Sequence, residues 1–271
     1  MFSGGMAIPL LRWAGSKRQY VPLLRQCWDL NQHTRYVEPF AGSAAVFFAV
    51  APRKAILSDI NGELIQAYRA VRKTPHEVFR RLAKFPVGRA AYYEVRAMRP
   101  TCAVSRAARF VYLNRFCFNG LYRTNVAGEF NVPYGAPKND HLPNLELFRS
   151  CATLLSRATL LRSDFRKTLD LVERGDFVYI DPPYAISRRR VFIQYAKDHF
   201  NTADLVELAE CLEQIDRRRA SFVLSYADSR EARSLFGGWK RRRFSVRRNV
   251  AGFSNARRNH YEMFISNLPS F

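Results

Sequence analysis

The chain of 271 residues carries 44 lysines and arginines against 23 aspartates and glutamates, a formal net charge of +21, with 48% hydrophobic residues. That apolar fraction excludes a disordered chain, the length is enough to bury a substantial core, and the positive excess points to a polyanionic partner, nucleic acid above all. The sequence has no apolar run of the roughly 18 residues that a membrane span needs, its first residues lack the charged start and apolar core of a signal peptide, and its five cysteines and five histidines show no metal-ligand spacing. A metal-free protein with reduced thiols in the cytoplasm is therefore expected, with no membrane partner.

Strand and helix signals alternate from residue 34. Residues 34–37 form a short apolar strand that runs into Glu38-Pro39-Phe40-Ala41-Gly42-Ser43, and residues 44–50 suit a buried helix. Residues 54–58 read as a second strand ending on Asp59, followed by helical spacing at Leu64, Ile65, Tyr68 and Val71. From 75 to 118 the pattern is all-helical and basic. Residues 119–134 place polar turn residues between short apolar stretches, which predicts a β-hairpin. Alternation then resumes with a helix at 145–156, a strand at 159–162, a helix at 167–173 and the apolar run 176–180. A helix over 202–215 with Thr202 as N-cap, a strand at 221–225 and two late strands near 243–246 and 261–266 complete the pattern. The late pair suits an antiparallel ribbon. These βαβ units, interrupted by helices, predict an α/β fold: one doubly wound, mostly parallel Rossmann-like sheet carrying an inserted helical and hairpin segment.

Chemistry concentrates at the predicted strand ends, where open α/β sheets bind ligands. Asp181-Pro182-Pro183-Tyr184 follows the strand 176–180. Two prolines stop the ladder and leave backbone carbonyls free as acceptors. A carboxylate, a proline carbonyl and a ring suit methylation of an exocyclic amine, which they could hydrogen-bond and stack upon; an ordinary turn is the plainer alternative. The small-residue loop Phe40, Gly42 and Ser43 allows close backbone approach at a helix N-terminus. Asp59, one strand on, suits ribose hydroxyls, or else a helix cap before Asn61. Loop and acid fit an adenosine-containing cofactor, and the missing Gly-x-Gly-x-x-Gly counts against a dinucleotide. Asp164 and Phe165 suit an adenine, or a cap and a core ring. Trp13 to Lys17 could cover the far end of such a cofactor, or merely precede a helix.

Six motifs occur in order along nearly the whole chain: Trp13-Ala14-Gly15-Ser16-Lys17, Glu38-Pro39-Phe40-Ala41-Gly42-Ser43, Ser58-Asp59-Ile60-Asn61, Asn119-Gly120-Leu121-Tyr122-Arg123-x-Asn125, Gly128-x-Phe130-Asn131-Val132-Pro133-Tyr134-Gly135 and Asp181-Pro182-Pro183-Tyr184. In this the chain resembles the Dam family of DNA adenine-N6 methyltransferases, the alpha-ordered group. The resemblance implies an S-adenosylmethionine cofactor held by Trp13, Ala14, Gly15, Lys17, Phe40, Gly42, Ser43, Asp59, Ile60, Asp164, Phe165 and Asp181. It implies a catalytic set Asp181, Pro182, Pro183 and Tyr184, and a hairpin over 119–134 that reads duplex DNA through Asn119, Leu121, Arg123, Asn125 and Pro133. Arg12 and the run Arg188, Arg189 and Arg190 join these as expected DNA contacts. Ser16 and Ala44 stand where the family has glycine.

The expected organisation is a cofactor-binding catalytic body, 1–61 with 143–271, and a target-recognition insertion, 62–142. The expected reaction is methyl transfer to N6 of an adenine flipped out of duplex DNA, with GATC as the first expectation for the site. A bacterial or phage-encoded monomer or weak dimer fits, either alone or paired with a restriction nuclease. Methylation of RNA and DNA binding without catalysis are the rival readings.

Overall fold

The computed structural model describes residues 8–29, 32–136, 141–185, 200–246 and 260–271. A seven-stranded sheet has β1 (Arg35–Glu38), β2 (Ala55–Asp59), β3 (Ala158–Arg162), β4 (Asp176–Ile180), β5 (Ser221–Ala227), β6 (Lys240–Val246) and β7 (His260–Ser266) in the spatial order β3-β2-β1-β4-β5-β7-β6. The first five strands in that order are parallel, and β7 lies antiparallel between β5 and β6. The expected ribbon is thus the sheet's far edge. The order reverses direction between β1 and β4, which opens a crevice beyond their carboxyl ends.

Side-chain alternation decides what each face meets. Tyr36, Phe177 and Tyr179 join one hydrophobic cluster, and Val37, Val178 and Ile180 the opposite one. Every residue of β4 is buried, which is why its sequence is a continuous apolar run rather than an alternating one. Buried Asp176 at its start is paired with Arg35 at 2.7 Å, tying β1 to β4.

The second cluster is closed by α8 (Phe165–Leu169), α9 (Thr202–Arg217) and α10 (Arg230–Leu235). The first is closed by α1 (Val21–Cys27), α2 (Ala45–Val50), α3 (Gly62–Lys73), α4 (Pro75–Leu82), α5 (Arg89–Ala97), α6 (Ala103–Phe116) and α7 (Leu145–Leu155). It runs without interruption from Phe177 and Phe264 on the sheet to Val78, Tyr92 and Phe110 on the inserted helices. Each fully buried aromatic of this kind contributes roughly 1.5–3 kcal/mol.

Several local expectations change. The α9 N-cap is Asn201, not Thr202: the Asn201 side chain accepts from Ala203 N and Asp204 N, and Asp204 answers on the Asn201 backbone, a complete capping box. The helix expected at 167–173 is α8, drawn forward because Asp164 caps it. Helices α1 and α10 are additional. The segment 117–134 doubles back as expected, but its pairing is reduced to two isolated antiparallel bridges, Cys117 with Tyr134 and Thr124 with Phe130. The run Arg188, Arg189 and Arg190 lies outside the described residues.

Candidate active site

Asp181 leaves β4 at the crevice, and its carboxylate is gripped on one oxygen. Oδ1 accepts from Ser225 Oγ at 2.8 Å and from Lys17 Nζ at 2.9 Å. Burial pushes the Asp181 carboxyl above its usual range, against the opposing pull of Lys17 and Ser225. Burial alone would drive the Lys17 ammonium down, but Asp181, Tyr184 and Glu262 together outweigh it and hold the ammonium charged. Lys17 also lies 3.3 Å from Glu262 and donates to the Gly15 carbonyl. Pro182 is buried and Pro183 exposed. The Tyr184 hydroxyl donates to Glu262 Oε1 at 2.6 Å, and its ring meets Tyr226 edge-on.

Beside this lies the loop after β1. Asp59 at the end of β2 accepts from Gly42 N at 3.0 Å through Oδ2 and from Asn61 N at 2.9 Å through Oδ1. The helix cap weighed for Asp59 is in fact Asn61, whose side chain accepts from Glu63 N and Leu64 N. Burial raises the Asp59 carboxyl, opposed by those two backbone donors. The Gly42 carbonyl accepts from the buried Tyr68 hydroxyl at 2.7 Å, so both backbone polar atoms of Gly42 are held. Gly42 has φ +46°, and a Cβ there would stand 2.8 Å from Trp13 Cδ1. The indole in turn lies nearly parallel to Tyr122, centroids 6.3 Å apart. Of the two departures from the family's glycines, Ser16 keeps a negative φ, whereas Ala44 has φ +51°. A left-handed alanine costs about 1–2 kcal/mol. Ser43 is buried, while Ala14, Gly15 and Ile60 face solvent along the crevice.

Asp164 and Phe165 close the far side, and each fills the structural role that was weighed for it. Asp164 caps α8 through Arg166 N and is paired with the Arg166 guanidinium at 3.1 Å, while its side chain remains partly exposed. Phe165 is buried against Phe40 and Phe200. Arg166 lies 4.4 Å from the Phe165 ring centre and also binds Asp204 and Glu207 from α9.

These parts line one open cleft of about 2240 Å³. The family profile of D12 class N6 adenine-specific DNA methyltransferases matches residues 13–250. The chain belongs to that family. It is 32% identical to a type II methyltransferase of Lactococcus lactis subsp. cremoris, over 96% of this chain and 95% of the relative. It is 32% identical to a DNA adenine methylase of Haemophilus influenzae (90% and 87%) and 33% identical to the retron Ec67 DNA adenine methylase of Escherichia coli (89% and 85%). The protein is an adenine-specific DNA methyltransferase.

The methyltransferase's cleft continues to the segment expected to read DNA. Asn119, Leu121, Arg123 and Asn125 line it with Arg12, Arg99, Arg106 and Arg109, a wall rich in fixed positive charge. Arg12 is exposed, its backbone clamped at both polar atoms by the Asn114 amide (2.8 and 2.6 Å). Arg123 is exposed and donates through Nε to Asn131. The Asn125 side chain is occupied within its own turn, accepting from Glu129 N and donating to the Glu129 carboxylate. Pro133 is exposed away from the cleft lining, its carbonyl accepting from Phe118 N. Among the described residues there is no cluster of potential metal ligands and no helix long and apolar enough to cross a membrane.

Sequence reasoning did not find Tyr68, Arg166, Ser225 or Glu262. Glu262 alone left a signal: a single acid inside the apolar run 261–265 is out of place on a buried strand unless it is paired. The other three sit where ordinary core or surface residues would.

Proposed function

We propose that this methyltransferase moves the methyl group of S-adenosylmethionine to N6 of an adenine rotated out of duplex DNA. The observation that carries the proposal is the one-sided grip on Asp181. Lys17 and Ser225 occupy Oδ1, and no described residue donates to Oδ2. That oxygen is free to accept from an amine, and the Pro182 carbonyl is the second acceptor we assign. An adenine amine is a weak nucleophile because its lone pair is delocalised into the ring. Two acceptors favour the tetrahedral amine and strengthen as positive charge grows on nitrogen. Tyr184 offers the stacking surface for the extruded base.

The donor set suits the cofactor chemically. Asp59 presents a carboxylate for ribose, exposed Ile60 an apolar surface for a base, Phe165 and Asp164 an aromatic and an acid beside it, and Gly42 a tight turn whose missing Cβ lets the Trp13 indole close on the loop. Trp13, Ala14, Gly15, Lys17, Phe40 and Ser43 complete the binding set. When bound, S-adenosylmethionine supplies a methyl group on a sulfonium centre. We assign 1–61 with 143–271 to cofactor and catalysis and 62–142 to target recognition, with Arg12 and Arg123 meeting DNA. GATC is the site we propose, on the resemblance of the 119–135 motifs.

Methyl transfer from tritiated cofactor to duplexes with and without GATC, and to matched RNA, tests this. Asp181→Ala should lower turnover by at least about 10²-fold while DNA binding persists. Wild-type turnover by that variant would refute the assignment of Asp181, and equal labelling of scrambled duplexes would refute GATC.

A further inference from the structure

We propose that Glu262 is a positioning residue for methyl transfer, holding the Lys17 ammonium and the Tyr184 hydroxyl together from strand β7 and setting the charge of the catalytic corner. The inference rests on the reading of Asp181 as the N6 acceptor. Its geometry is independent of that reading. Glu262 Oε1 takes the Tyr184 hydroxyl at 2.6 Å and lies 3.3 Å from Lys17 Nζ, which itself reaches Asp181 at 2.9 Å. Three segments distant in sequence therefore meet on one carboxylate.

Stability does not explain this acid. Its side chain is 8% exposed, and Oε2 is buried without a hydrogen-bond partner among the described residues. A buried carboxylate so incompletely satisfied is costly beside the buried apolar residues Met263, Phe264 and Ile265 that follow it on the strand. Charge explains it better. One lysine faces two carboxylates, so the group Lys17, Asp181 and Glu262 carries a net negative charge when all are ionised. That charge is fixed in advance beside the point where N6 becomes positive. Lys17 alone would neutralise Asp181; Glu262 shares the ammonium and restores the acceptor strength of Asp181. The ring of Tyr184, tethered by the same oxygen and braced by Tyr226, is held in register with that acceptor.

Glu262→Gln tests this because it keeps an acceptor for Tyr184 and removes the charge. In the full-length enzyme, kcat on cognate duplex should fall by about one to two orders of magnitude, with KM for DNA and calorimetric affinity for S-adenosylhomocysteine unchanged. The acid limb of the kcat profile should move to lower pH. The titratable groups facing Glu262 are Lys17, Asp181, Tyr184, Tyr179 and Tyr20, and of these Asp181 loses a like-charged neighbour. Wild-type kcat with an unmoved acid limb would overturn the proposal. Should Glu262→Gln not fold, Tyr184→Phe removes the other end of the hydrogen bond. A fall in its kcat at constant KM supports the proposal, and full activity overturns it. Retained activity in Asp181→Ala would instead strike the reading beneath it, so the two failures are distinguishable.

Discussion

Replacing Gly42 with alanine tests the construction of the cofactor loop. Two effects are separable. At φ +46° an L-residue pays about 1–2 kcal/mol for the left-handed conformation. The new methyl would also lie 2.8 Å and 2.9 Å from Trp13 Cδ1 and Nε1, well inside the contact distance of about 3.5–4.0 Å. The indole must retreat, and its stack on Tyr122, worth about 0.5–1.5 kcal/mol, is weakened. Reduced freedom of the unfolded chain returns about 0.4–1 kcal/mol. The net loss should be about 1–2 kcal/mol in denaturant unfolding. Gly15 is the control: its φ is +81°, but a Cβ there meets nothing within 4 Å. Gly15→Ala carries the conformational cost alone and should lose about 1 kcal/mol less. Calorimetry with S-adenosylhomocysteine should show a further loss of about tenfold in Gly42→Ala, since the displaced indole borders the binding loop. Equal destabilisation of the two variants would refute the contact argument and leave only backbone strain.

Two further outcomes follow from charge. Burial holds the Glu38 carboxyl well above the usual range, although Tyr36 and the Phe47 amide donate to it. The folded state therefore binds this proton more tightly, so its stabilising share is full at low pH and is lost as pH rises through the raised value. Glu38→Gln should flatten the decline of unfolding free energy measured between about pH 4 and pH 9; curves that stay parallel to wild type would refute the burial effect. Arg123→Ala should relax sequence preference in competition binding if the guanidinium reads a base. A uniform weakening on all duplexes, with the salt slope reduced by about one, would mark it as a phosphate contact.

What could be read from sequence followed physical locality. The run 176–180 was legible as a strand because burial on both faces demands unbroken apolarity, and the chemistry after it was legible because prolines end ladders. Asp59 and Gly42 could be paired in outline, since adjacent parallel strands bring their ends together. Helix α1 was missed because seven residues with only Val21 and Leu24 buried carry too little periodicity. Boundaries shifted where side chains compete for a cap, as Asn201 and Thr202 do. Ser225 and Tyr68 were not legible because each acts on a residue far along the chain, and Glu262 showed only as an acid out of place in an apolar run. A serine in β5 shows its purpose only once β5 lies beside β4.

The antiparallel β7 gives the catalytic corner a property of timing. Lys17 is made first, Asp181 later and Glu262 later still, and their group is complete only with β7 in place between β5 and β6. Pairings across such sequence separations are the slow ones in folding. A chain lacking that strand would leave the Lys17 ammonium without Glu262, facing the Asp181 carboxylate alone. Full methyl transfer should therefore await a sheet in which β7 is in place and Glu262 reaches Lys17 and Tyr184.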